Sequence, residues 1–110
     1  MDYRLFSRLY NEALEYNDID LYISERGWQD WMDDYATEDG DATRITNILT
    51  SIYDMAHMDI CNLREKTGLS INKFASQYSI PPRTLQDWIY NKSRTPDYVK
   101  KLIVYTLLDI

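Results

Sequence analysis

The sequence is short of the residues that punctuate a chain. Three Gly and three Pro in 110 residues are too few for the many tight turns of an all-β fold, so helices are expected. A single cysteine, Cys61, excludes an internal disulfide, and with a single histidine, His57, no zinc-ligand set can be assembled. Cys61 is expected to be a partly buried structural residue, and His57 to stabilise the end of a helix through its dipole. No run approaches the roughly 18 to 20 uninterrupted apolar residues of a membrane span. The opening stretch MDYRLFSRLY has no apolar signal core, so a cytoplasmic location away from membranes is expected. No Ser, Cys or His stands with a base at a legible spacing, and there is no Gly-rich phosphate loop. Neither enzymatic chemistry nor a metal or cofactor is expected.

Lysine is missing from the first half altogether. Residues 1–58 hold four Arg against thirteen Asp and Glu, a balance of −9, whereas residues 59–110 hold eight Lys and Arg against five Asp and Glu, a balance of +3. The two halves are therefore expected to meet different partners. What the chain does have is 45% apolar residues, enough to bury a core at this length.

Leu5, Phe6, Leu9, Ala13, Leu14 and Tyr16 recur at helical spacing and predict a first helix from Asp2 to Tyr16. Leu21, Trp28, Met32 and Tyr35 form the stripe of a second, with Trp31 beside it and Gly27 as a possible break. The turn TEDGDAT, residues 37–43, precedes the strongest amphipathic run, Ile45, Ile48, Leu49, Ile52, Tyr53 and Ala56, with Asp41 or Thr43 as its cap. Beyond Met58-Asp59 the segments shorten. Gly68 ends one helix, Ser70 caps the next through Tyr78, and Pro81 and Pro96 start two more. No strand and no repeat stand out. The predicted organisation is an acidic, aromatic-rich helical segment, 1–57, for partner binding or dimerisation, packed on a C-terminal module, 58–110. Trp28, Trp31, Tyr35 and Tyr53, at helical spacing, are read as core rather than as a cofactor box.

Two short helices joined by a tight turn, the second beginning with residues able to reach base edges, have the geometry of a helix-turn-helix. Leu69, Phe74, Ala75, Ile80, Leu85 and Trp88 are its apolar positions, with Ala75 small where the helices cross. Arg83, near the start of the second helix, can bridge guanine O6 and N7, and Gln86 can pair with adenine. Asp87 lies on the same face, where it either repels phosphate or accepts from a cytosine amino group. Ser70, Lys73, Thr84, Lys92 and Arg94 are candidate backbone contacts, and Lys100 and Lys101 add sequence-independent attraction. Ile89 and Tyr90 can serve a dimer contact or a thymine methyl.

The stretch LREKTGLSINKFASQYSIPPRTLQDWIYNKSRTP, residues 63–96, resembles the Cro/repressor (XRE-like) helix-turn-helix family. The resemblance runs from about residue 60 to residue 108. It implies a lambda-repressor-like bundle that binds double-stranded DNA, usually as a homodimer on palindromic operators. The chain departs from the family pattern in having Ser79 for the usual turn glycine, Ile71 for the usual glutamine, and Ile89 and Asn91 for the usual Glu and Gly after the tryptophan. Asn91 still tolerates a left-handed backbone.

The acidic residues Asp30, Asp33, Asp34, Glu38, Asp39 and Asp41 do not fall at calcium-loop positions around Gly40. They read as a solvated face or as a surface that imitates DNA phosphate and engages a basic protein. Two functions follow as expectations. One is a sequence-specific transcriptional repressor of phage or mobile-element type. The other is an anti-CRISPR or anti-restriction inhibitor, whose acidic segment occupies the groove of a host defence nuclease while the other half represses its own gene.

Overall fold

The computed structural model describes residues 1–36 and 42–108. The protein is all-α: the described residues form seven α-helices and one 3-10 turn, with no strand among them. Glu38, Asp39 and Asp41, and most of the TEDGDAT turn, lie outside the described residues. The chain divides into two compact units, one made of Met1–His57 with Leu108, the other of Met58–Leu107.

In the first unit, α1 (Tyr3–Ala13) starts where the Asp2 carboxylate accepts from the Leu5 amide at 2.8 Å. Its apolar stripe, Phe6, Leu9, Tyr10 and Ala13, is buried, and the helix packs on α3 (Thr43–Ala56). From α3 come Ile45, Ile48, Leu49, Ile52, Met55 and Ala56, all buried at the predicted three-and-four spacing. Each large side chain taken fully out of water here supplies about 1.5–3 kcal/mol. Between them α2 (Ile19–Ser24), capped by Asp18, also packs on α3 and buries Tyr22, whose hydroxyl donates to the Leu9 carbonyl at 3.0 Å.

The second predicted helix is not continuous. It ends at Ser24, Gly27 takes a left-handed φ of +62°, and the chain resumes as the 3-10 turn Asp30–Asp34. The break resets the helical phase, so a stripe counted straight through it fails. Of its members only Met32 is buried, while Leu21 and Trp28 are exposed. Trp31, Tyr35 and Tyr53 are half-buried rather than core. The first helix likewise stops at Ala13, not Tyr16, leaving Leu14 exposed. The residue capping α3 is Ala42, which makes no side-chain bond, and Thr43 is already helical.

The second unit is four short helices. In α4 (Ile60–Thr67), Asp59 caps the start by accepting from the Asn62 amide at 2.7 Å, and Gly68 closes the end at φ +72°. Ser70 caps α5 (Ile71–Gln77). Pro82, one residue later than predicted, opens α6 (Pro82–Ile89), and Pro96 stands just before α7 (Asp97–Leu107). A proline costs nothing at these positions, because the first-turn N–H has no intrahelical acceptor. α5 packs on α6, with Phe74, Ala75 and Leu85 fully buried, and α4 packs on α6 as well.

Candidate nucleic-acid interface

The turn from α5 to α6 is built from hydrogen bonds rather than from glycine. The Ile80 amide donates to the Ala75 carbonyl at 2.9 Å and the Ser79 amide to the Ser76 carbonyl at 3.2 Å, with Ser79 left-handed at φ +55°. This double bond pattern satisfies carbonyls that the helix end would otherwise orphan. α6 ends in the same way. The Lys92 amide donates to the Asp87 carbonyl at 2.8 Å and the Asn91 amide to the Trp88 carbonyl at 3.2 Å, with Asn91 at φ +60°. A rigid eight-residue helix is thus held between two closed turns.

Burial along α6 defines its two faces. Leu85 is fully buried; the three-and-four spacing sets Arg83, Gln86, Asp87 and the C-cap residue Tyr90 on the opposite side, where Arg83 and Tyr90 are exposed and Gln86 and Asp87 half-buried. The Arg83 side chain is 82% exposed and the Tyr90 residue 64%. Asp87, 32% exposed, places Oδ1 3.5 Å from the Arg83 Nε. That ion pair joins two residues assigned separate roles from the sequence. Its signal was the i, i+4 spacing of Arg and Asp, which puts opposite charges side by side on a helix.

Four of the five backbone-contact candidates are exposed on the segments before and after α6. Ser70 and Lys73 are exposed at the start of α5, where the Ser70 hydroxyl oxygen accepts from the Lys73 amide at 3.2 Å. Lys92 and Arg94 are exposed in the loop after α6, Arg94 lying 3.2 Å from Asp97. Thr84 is half-buried and points with Trp88 into an apolar groove instead of sharing the Arg83 face. Tyr78, Ile80, Val99 and Leu102 complete much of that groove, a cavity of about 340 Å³, so Trp88 is half-buried and not core. Lys100 is also half-buried, and burial lowers its pKa below the usual lysine range. The pKa of the Cys61 thiol is pushed up by burial and by neighbouring Glu65, whose carboxylate lies 3.7 Å from its Sγ.

On the acidic unit, Asp30, Asp33 and Asp34 are exposed in the 3-10 turn, and the Trp28 Nε1 donates to Asp33 Oδ1 at 2.8 Å. No helix among the described residues is long and apolar enough to cross a membrane.

Comparison with protein-family models, with curated proteins and with solved structures finds no match.

Proposed function

We propose that the protein is a sequence-specific DNA-binding regulator that reads double-stranded DNA with α6. The observation carrying this reading is that exposed Arg83 and half-buried Gln86 and Asp87 lie opposite the buried Leu85 on a helix held by closed turns at both ends. Arg and Gln supply the donor pairs that fit guanine and adenine edges in the major groove, which is wide enough to admit a helix. Exposed Ser70, Lys73, Lys92 and Arg94 flank that helix and provide the contacts that set its register on phosphate. The family resembled by residues 63–96 supports the same assignment, with binding as a homodimer to half-sites one helical turn apart. Occupation of such an operator excludes polymerase and makes the protein a repressor. A titration against a random-sequence duplex pool at two salt concentrations, with sequencing of the retained fraction, tests it. An enriched palindrome whose binding weakens steeply with salt is the expected result; retention without enrichment, or none at all, refutes it.

One observation favours a second reading for the acidic unit. Trp28 is 55% exposed and donates to Asp33, in a turn that also exposes Asp30 and Asp34, and an exposed aromatic next to acidic charge suits a basic protein surface. That partner is a nucleic-acid-binding host protein such as a defence nuclease, blocked in an anti-CRISPR or anti-restriction role. Asp33→Asn with Asp34→Asn is expected to weaken capture of such a nuclease at least fivefold, roughly the cost of losing close charge pairs; an unchanged complex removes this reading.

A further inference from the structure

We infer that Asp87 is a positioning residue that aims Arg83 at a guanine, and that it gives sequence preference at the expense of general affinity for DNA. The inference rests on the DNA-reading role of α6 proposed above.

Helix stability does not explain the pair. Arg83 stands in the first turn of α6 and Asp87 in the last, which sets each charge against the helix dipole; the reverse order would suit both ends better. An exposed pair of this kind contributes little to folding in any case. The geometry is informative in another way. Asp87 Oδ1 faces the Nε of Arg83, so the carboxylate engages the side edge of the guanidinium. The end-on fork of Nη1 and Nη2 remains free, and that fork spans guanine O6 and N7. Arginine has several rotamers to lose on ordering, and a carboxylate one turn away removes part of that cost before DNA arrives. The same carboxylate opposes phosphate approach, so Arg83 is discouraged from serving as a sequence-independent contact. Asp87 therefore acts through Arg83, and a base contact of its own is not required.

The test uses the full chain and a random-sequence duplex pool, followed by the duplex that the wild-type protein enriches. Arg83→Ala first locates the base pair at which guanine preference relaxes. At that base pair Asp87→Asn is expected to lower the preference for guanine about tenfold, within the range a bidentate contact supplies. Binding to random duplex strengthens several-fold. The slope of log affinity against log salt steepens by about 0.9, one added phosphate contact. Asp87→Glu, which keeps the charge within reach, restores most of the preference. Adding Asp87→Asn to Arg83→Ala changes that base pair no further, because the two act as one unit. Helical circular dichroism and melting of each variant confirm the fold. Unchanged guanine preference in Asp87→Asn, or additive losses in the double variant, overturns the positioning role while α6 still reads DNA. If the wild-type chain enriches no sequence, the DNA-reading role falls, and the positioning role with it.

Discussion

The Ile80 amide reaches back to the Ala75 carbonyl at 2.9 Å across Ser79, which is held at φ +55°. A side chain at that φ costs about 1 kcal/mol. Glycine removes the strain but adds freedom to the unfolded chain, so Ser79→Gly is expected to stabilise the protein by a net of about 0.5 kcal/mol. Ser79→Val, β-branched at the same φ, is expected to destabilise it by at least 1 kcal/mol or so. Urea midpoints of the two variants decide this; a Val variant as stable as wild type would show that the turn is not strained at all.

Arg83→Ala should relax preference at one base pair and weaken binding to the enriched duplex by about 1–3 kcal/mol, with a smaller loss on random duplex. Arg83 is exposed and off the core, so the melting temperature is expected to stay within a degree or two. Equal losses on specific and random duplexes would make Arg83 a phosphate contact instead of a base reader.

Tyr22 predicts an alkaline transition. Its ring is fully buried, and burial pushes its phenol up from 10.0 to about 12. The fold holds the neutral form, so this contribution is constant below pH 10, the unfolded value, and is lost as the pH rises towards about 12. Stability measured across that window should fall, and Tyr22→Phe should flatten the fall. The variant loses about 1 kcal/mol at neutral pH, the hydroxyl's bond to the Leu9 carbonyl being gone. An unaltered slope in Tyr22→Phe would locate the transition elsewhere.

Glu12 and Arg26 predict an asymmetry. The Arg26 guanidinium, with 3% of its side chain exposed, lies 3.1 Å from Glu12 Oε1 and 4.8 Å over the Tyr22 ring, whereas Glu12 is 36% exposed. Glu12→Ala strands a buried cation and is expected to cost about 2 kcal/mol, discounted from the full penalty because solvent reaches the pair. Arg26→Met leaves only a partly solvated carboxylate, and is expected to cost under about 1 kcal/mol. Calorimetric melts that reverse this order would show the cation to be better solvated than its surroundings indicate.

How much of this was legible beforehand depended on the reach of the forces involved. The all-α class followed from periodicity and from the scarcity of Gly and Pro. The start and stop of α4 and the start of α5 followed from Asp59, Gly68 and Ser70, because a cap bonds within three residues of itself. The stripe of α3 was equally plain, since one uninterrupted helix keeps its phase over fourteen residues. The position of Arg83, Gln86 and Asp87 opposite the buried Leu85 was also local, set by their spacing on one helix.

Tertiary structure decided the rest. Whether Trp28 or Tyr22 enters the core depended on where Gly27 breaks the chain and on what α3 offers across the gap, and neither is written in the spacing of residues 19–35. Trp88 looked like core because it is apolar and in phase, yet α7 leaves a groove beside it. The Arg83–Asp87 pair is intermediate: its spacing permits the contact, but only the rotamers adopted on the folded helix turn the carboxylate towards Nε. Sequence by itself determined the helical class, the caps of α4 and α5 and the apolar stripe of α3, because those are short-range matters of backbone bonding and phase. Burial and pairing were settled only by packing, because they depend on contacts between segments far apart in the chain.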